Sequence, residues 1–344
     1  MQRITIKEIA RRAGTSIGTV DRVLHNRGEV AESTRELVLK VAREGNYQAN
    51  IYARNLKLNR NFRVAILLPE DNEYWTEHNR GLADAVLQFQ PLGLQLEKFT
   101  FDRHNVNSFH EKSELMLESK PSAVVMAPLI EEEVIKLSQR LDASSIPYVF
   151  VDSNLDHANP LTFIGQDSRK AGYLSAKLLN FGFSEGHSAC ILRYHDFDSL
   201  NKTIEERIQG FRQFYADHNF DTSLVKELDF EGLSDEIEKN RNGGWLHIFV
   251  PNSRVFEIEP LLENKTFSTR IVGFDLIQGN AESLKKGLVD FIIHQNPYNQ
   301  GEQAIRTLHS KLILGKEVHS KVQIPLEIIT KENLPEQINP DRTS

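Results

Sequence analysis

Along the first 45 residues, apolar side chains recur at the three- and four-residue spacing of helices. Ile6, Ile9, Ala10 and Ala13 share one helical face, and Thr5 with Glu8 has the form of a capping box, so a helix is expected from Ile6 to Gly14. Thr15 or Ser16 then caps a second helix through Leu24, with Ile17, Val20, Val23 and Leu24 inward. Asn26-Arg27-Gly28 reads as a turn. Ser33 with Glu36 forms another capping box and opens a third helix, with Leu37, Val38, Val41 and Ala42 inward, that stops at Gly45. Two short helices joined by a tight turn and braced by a third make a helix-turn-helix unit. Spacing alone leaves open whether such a bundle grips DNA or only dimerises.

From Arg63 the pattern changes. Short apolar runs alternate with helix-length amphipathic stretches. The expected strands are Val64–Pro69, Leu94–Phe101, Ala123–Pro128, Tyr148–Asp152, Thr162–Gln166, Ala189–Arg193, Val225–Phe230, Leu246–Pro251, Ile271–Asp275, Phe291–Gln295 and Ile324–Ile329. This βαβ alternation predicts parallel sheets covered by helices on both faces. Eleven strands are many for one compact sheet, so the expectation is an all-α head on an α/β body of two lobes. In such sheets ligands bind beyond the carboxyl ends of strands. The polar residues there are Glu70, Asp71, Asp102, Asp152, Asp167, Asn252, Asp275 and Gln295.

Charge separates the two regions further. The 344 residues carry 41 Lys+Arg and 48 Asp+Glu, a net −7 that on its face argues against a nucleic-acid partner. Residues 1–60, however, hold 12 bases and 6 acids, so they carry +6 and the remainder −13. A basic head on an acidic body results, and the basic charge together with the A-R-R-A-G-T-S-I-G-T-V-D-R-V-L stretch favours DNA. The second helix is then expected in the major groove, its first exposed residues reaching base edges.

Several chemistries lack their residues. Cys190 is the only cysteine, so there is no disulfide framework and no cysteine zinc site. The 12 histidines show no metal-binding spacing, and no G-x-G-x-x-G or Walker loop follows the first strand. Gly186-His187-Ser188-Ala189-Cys190 lacks the second glycine of a nucleophile elbow. The expectation is therefore no enzyme, cofactor or metal. No run of about 18 apolar residues offers a membrane span. The opening MQRITIKEIARRAG has charges where a secretory leader has apolar residues, which predicts a cytoplasmic protein.

Residues 4–60 resemble the head of the LacI/GalR family of bacterial transcription regulators. The match runs through Ala10, Ala13, Gly14, Ser16, Thr19, Val20, Arg22, Val23 and Leu24, then Thr34, Arg35 and Val38, then Asn46, Tyr47, Asn50, Ala53, Arg54 and Leu56. The resemblance implies DNA contact by Thr5, Ser16, Ile17, Gly18, Thr19, Arg22, Asn26, Asn50, Ala53, Arg54 and Leu56. Residues 50–58 would be a hinge helix that folds on the operator, with Leu56 wedged into the minor groove. Two departures stand out: Asp21 replaces the usual serine, placing a carboxylate near phosphates, and Ala49 replaces the common proline before Asn50.

Residues 63–330 resemble, more loosely, the family's periplasmic-binding-protein-like (type I) effector domain. The anchors are Arg207 with Gly210-Phe211, Pro251-Asn252-Ser253, Val272-Gly273-Phe274-Asp275, Ile293-His294-Gln295-Asn296-Pro297 and Asp152. The implied effector set is Tyr74, Trp75, Asp152, Arg207, Asn252, Asp275 and Gln295, a set of donors and acceptors suited to vicinal hydroxyls. Tyr74 and Trp75 are placed to stack on a sugar. The two aspartates also fit helix caps, Arg207 a solvated charge, and Trp75 a core residue.

The resulting expectation is a regulator, read as a repressor, that binds double-stranded operator DNA as a homodimer under control of a sugar-like effector. Its parts are a head at 1–48, a hinge at 49–61, a body at 62–331 and a tail at 332–344. Lobe 1 is expected over about 62–160 and 294–322, and lobe 2 over about 161–293 and 323–331. The rival readings are a solute-binding protein and an α/β sugar-processing enzyme carrying a helical head.

Overall fold

The computed structural model describes residues 4–24, 27–45, 47, 61–70, 72–183, 187–194, 202–240, 244–262 and 267–336. The chain divides into two compact units, Met1–Leu58 and Asn59–Ser344.

In the first unit, α1 (Ile6–Arg12), α2 (Ile17–Leu24) and α3 (Glu32–Glu44) close on a small core. Ile9, Val20 and Val38 are fully buried in it. The Thr5 hydroxyl accepts from the Glu8 backbone N–H at 3.3 Å, capping α1. Ser16 does the same for α2, accepting from Thr19 N–H at 3.0 Å. The box expected at Ser33 does not form: α3 begins at Glu32 behind Ala31, with no side-chain cap. Burial of Val38, Val41 and Ala42 holds that helix instead. Ile17 and Leu37, expected inward, are 50% and 44% exposed, because Val20, Val23 and Val38 already fill the small core.

Among the described residues, the second unit has twelve strands in two six-stranded sheets. The first sheet has the order β11-β5-β4-β3-β1-β2, from β1 (Phe62–Pro69), β2 (Leu94–Phe101), β3 (Ala123–Met126), β4 (Tyr148–Val151), β5 (Thr162–Gly165) and β11 (Lys321–Gln323). The second has the order β12-β10-β9-β8-β6-β7, from β6 (Ala189–Leu192), β7 (Val225–Leu228), β8 (Trp245–Phe249), β9 (Ser268–Phe274), β10 (Phe291–His294) and β12 (Glu327–Ile329). Helices between them are α4 (Glu73–Phe89), α5 (Val106–Glu118), α6 (Glu131–Ala143), α7 (Ser168–Asn180), α8 (Lys202–Asp217), α9 (Phe230–Lys239), the short α10 (Glu259–Leu262), α11 (Gln278–Lys286) and α12 (Pro297–Leu308). None of the described helices is long and apolar enough to cross a membrane.

Three expectations need correction. The strand expected at Ile324–Ile329 is a strand only in its second half: 324–326 crosses between the sheets after β11 of the first, and β12 joins the second. Pro325, which has no N–H for a ladder, sits in the crossing. Not all pairs are parallel, since β12 runs antiparallel to β10. Strands of both sheets run toward the cleft, and a chain that enters the second lobe from the cleft side must run away from it. The boundary drawn near residue 160 also falls too early. β5 pairs with β4 and β11, so Thr162–Gly165 and Gln323 belong to the first lobe. The lobes exchange helices: α7, after β5, packs on α8, and α12, after β10, packs on α4.

Candidate functional site

In the head unit, Ser16, Ile17, Gly18 and Arg22 are exposed along one side of α2, and Thr5 is exposed at the start of α1. Thr19 is half-buried and its hydroxyl bonds that of Ser16 at 2.9 Å. Arg22 lies back along its helix, donating from Nε to the Gly18 carbonyl at 3.4 Å. Glu8 pairs with Arg11 and Arg12, and these two guanidinium groups hold its carboxyl at about 2. The Asp21 carboxylate helps raise the Tyr47 phenol above its ordinary range, after burial. Asn26, Asn50, Ala53, Arg54 and Leu56 lie outside the described residues.

In the body, all seven residues expected around an effector line one cleft between the lobes, about 630 Å³ including its solvent-open part. The first lobe contributes a phenol and a carboxylate. Asn72 caps α4 by accepting from Trp75 N–H at 3.0 Å, which sets Tyr74 and Trp75 on the first turn. The Tyr74 hydroxyl donates to Asp152 Oδ1 at 2.7 Å. Both rings are more than nine-tenths buried and meet edge to face at 4.9 Å. Tyr74 therefore serves the polar network through its hydroxyl rather than as an open stacking platform, and Trp75 packs in the first-lobe core.

The second lobe contributes a connected charge pair. The Arg207 guanidinium donates to the Pro251 carbonyl at 2.8 Å and to Gln295 Oε1 at 2.7 Å, and lies 3.7 Å over the Phe274 ring. The Gln295 amide N–H groups in turn reach both Asp275 oxygens, at 2.9 and 3.1 Å. Arg207 is 3% exposed, which removes the solvated-charge alternative, and its buried Nε has no partner. Its position depends on close helix packing. A Cβ on Gly172 of α7 would lie 1.7 Å from the Arg207 carbonyl oxygen, so only glycine lets α8 approach.

Asp152 and Asp275 sit just past β4 and β9, and neither caps a helix. Both are left-handed, with φ of +69° and +66°, and each donates its backbone N–H to the next strand at 3.1 Å. Non-glycine residues in this region cost on the order of 1–3 kcal/mol and cluster where surrounding structure imposes them. Burial pushes the Asp275 carboxyl up to about 7 against the opposing pull of Arg207 and Gln295. Burial raises Asp152 too, opposed by the Tyr74 hydrogen bond. Desolvation lowers Arg207, opposed by the two carboxylates. Asn252 accepts from Arg254 N–H at 2.9 Å.

Sequence reasoning missed two glutamines. Gln300 of α12 accepts from Asp152 N–H at 2.9 Å and donates to the Tyr74 hydroxyl at 3.2 Å. Gln166 donates to the carbonyls of His294 and Pro325, at 2.8 and 2.7 Å, and so ties all three interlobe crossings together. Gln300 lies mid-helix, where glutamine reads as a surface residue, and Gln166 closes the expected strand Thr162–Gln166, where the strand-end rule selected its neighbour Asp167 instead. Across the cleft, Gln278 N–H donates to Glu73 Oε2 at 2.6 Å, joining the start of α11 to the start of α4. Among the described residues no cluster of three or more His, Cys, Asp or Glu could hold a metal.

Residues 64–317 match the family profile "Periplasmic binding protein domain", and residues 5–50 match "Bacterial regulatory proteins, lacI family". A solved structure assigned as a LacI transcriptional regulator from Bacteroides fragilis is 30% identical, covers 80% of this chain and 98% of its own, and superposes with a TM-score of 0.71. The chain is 25% identical over 351 residues to the transcriptional repressor PurR of Aliivibrio fischeri, with 96% of this chain and 98% of that one covered. An Agrobacterium vitis solute-binding protein bound with α-D-tagatopyranose shares the fold at 18% identity and a TM-score of 0.65, over 80% and 96% of the two chains.

Proposed function

The chain belongs to the lacI family of bacterial regulatory proteins, a DNA-binding transcriptional regulator with a ligand-binding domain, and from that premise we propose what it senses and how. The effector is a sugar or closely related polyol held by Asp152, Arg207, Asn252, Asp275 and Gln295, with Tyr74 and Trp75 at the first-lobe wall. The observation that carries this reading is the Arg207–Gln295–Asp275 chain facing the Tyr74–Asp152 pair. Two carboxylates and two amides at strand ends, with an arginine from α8, offer alternating acceptors and donors, the chemistry that vicinal hydroxyls satisfy. The two opposite signs fit a neutral ligand.

Ligand closes the lobes, the hinge at 49–61 passes that change to the head, and a homodimer reads a two-fold symmetric operator in the cytoplasm as a repressor. Thr5, Ser16, Ile17, Gly18, Thr19, Arg22 and Asn26 contact the duplex, with Asn50, Ala53, Arg54 and Leu56 joining from the hinge. No enzymatic step is assigned to the body. A thermal-shift screen of sugars, uronic acids and polyols tests the reading, because a ligand of the native state raises its stability by mass action. A sugar is expected to stabilise the wild type but not Asp275→Ala, with DNA binding retained. Stabilisation of both proteins alike removes Asp275 from the site.

A further inference from the structure

The helix α11 does not cap itself. Its N-cap residue, Ile277, has no polar side chain, and its first turn carries no acid. The N–H of Gln278, which opens the helix, is instead taken by the Glu73 carboxylate at 2.6 Å. Glu73 belongs to the other lobe, at the start of α4. A carboxylate there satisfies an orphan donor and opposes the positive end of the helix dipole. Neither residue lies in one of the three interlobe crossings, so this cap breaks when the lobes rotate apart.

The capped turn holds both second-lobe loops that line the cleft. Asn280, in that same turn, is fully buried. Its Nδ2 donates to the carbonyls of Ser253, Phe274 and Asp275, at 2.9, 2.8 and 2.9 Å. Its Oδ1 accepts from Phe256 N–H at 3.0 Å. One side chain thus ties the segment after Asn252 to the left-handed backbone of Asp275, a conformation that persists only where its surroundings impose it. Another interlobe ion pair, Asp156 with Lys202 at 2.7 Å, joins side chains alone, and its carboxylate is 77% exposed. Pairs of that kind contribute little.

We infer that Glu73 is a positioning residue of the effector site. As a cap supplied across the cleft, it orders the first turn of α11, and through Asn280 it sets Asn252 and Asp275. Glu73 itself does not line the cleft. The cap is formed in the ligand-free chain and raises effector affinity by setting the second-lobe wall in advance. This deepens the reading of the main cleft as the effector site and rests on it.

The test measures amide hydrogen exchange by mass spectrometry on the full chain without added sugar. In Glu73→Ala the first-turn amides of α11 should exchange about 5-fold faster than in wild type, the size of a lost cap. The segment holding the Arg254 and Phe256 amides, which bond Asn252 and Asn280, should exchange faster with them. Glu73→Gln keeps an acceptor but not the charge, and should lie between. Calorimetry with glucose, galactose, ribose and arabinose supplies a second readout. Each sugar that binds wild type should bind Glu73→Ala about 5-fold more weakly, by one factor for all, whereas a residue in contact with the sugar would discriminate among them. Asp156→Asn should stay within about twofold of wild type. Unchanged exchange in α11, or faster exchange confined to α4, overturns the inference, as does an equal loss of binding in Asp156→Asn. Failure of every sugar to bind wild type defeats the sugar reading alone, since the exchange result still decides the cap.

Discussion

The two lobes of the body are built on one plan and filled differently. Their sheets correspond strand for strand, β1 to β6, β2 to β7, β3 to β8, β4 to β9 and β5 to β10. Each lobe ends its third-ranked strand in a left-handed aspartate, Asp152 or Asp275, and each packs two helices through facing glycines. In the first lobe these are Gly81 and Gly301, whose Cβ atoms would lie 2.0 and 2.3 Å from carbonyl oxygens of Tyr298 and His78. In the second they are Gly172 and Gly210, at 1.7 and 1.8 Å from those of Arg207 and Arg169. The frame is shared; the chemistry is not. The first-lobe aspartate meets a phenol, whereas the second meets an amide held by a buried arginine. The second lobe therefore sets a cation near its carboxylate through an amide, whereas the first sets only a hydroxyl beside its own.

The largest effect expected on this comparison is from Arg207→Ala. It leaves Asp275 and Gln295 without their cation, and breaking a buried pair costs roughly 3–5 kcal/mol. Effector affinity by calorimetry should fall at least 100-fold, whereas Tyr74→Phe in the first lobe, which removes the hydroxyl's two hydrogen bonds to Asp152 and Gln300 but no charge, should cost about 10-fold. Equal losses would erase the division of labour.

The glycine pairs sharpen the comparison next. Gly172→Ala and Gly81→Ala each force a methyl into backbone and should destabilise by roughly 1–3 kcal/mol in urea unfolding. Only Gly172→Ala should also weaken effector binding, because the carbonyl it displaces belongs to Arg207. Similar effects on binding from both would show that helix spacing, not Arg207, sets affinity.

A smaller effect concerns pH. The Asp275 carboxyl sits at about 7 in the fold, well above an unfolded aspartate near 4. The stability of its protonated form is fully present below the unfolded value and is lost as pH rises through about 7. Asp275→Asn should thus stabilise the ligand-free protein relative to wild type at pH 8, by at most about 4 kcal/mol at 1.4 per unit. The gain should vanish near pH 4. Asp152→Asn should have the same sign, since burial raises that carboxyl as well. Parallel stability curves for wild type and Asp275→Asn across this range would refute the burial cost.

Legibility followed physical range. Local signals located the head, because the Thr5 and Ser16 caps and the spacing of Ile9, Val20 and Val38 act within a few residues. The strand-end rule picked out Asp152, Asn252, Asp275 and Gln295, because any α/β lobe turns its strand ends to its ligand. The roles of Gln166 and Gln300 depend on helices exchanged between lobes and on partners more than 100 residues away, for which no local pattern exists. The split at 324–326 had one local sign, Pro325. The buried environment of Arg207 had only the resemblance to speak for it, since an arginine mid-helix otherwise reads as solvated.

The central claim is that one ligand in this body controls DNA held by the head. It is tested most directly by measuring operator affinity against increasing concentration of the sugar that stabilises the protein, in wild type and Arg207→Ala. Linkage requires the operator affinity of the wild type to change by the same factor as its ligand affinity changes on DNA. Arg207→Ala should show no change, while both proteins keep the same steep salt dependence of DNA binding. A ligand that saturates the wild-type cleft and leaves operator affinity where it was would contradict the account.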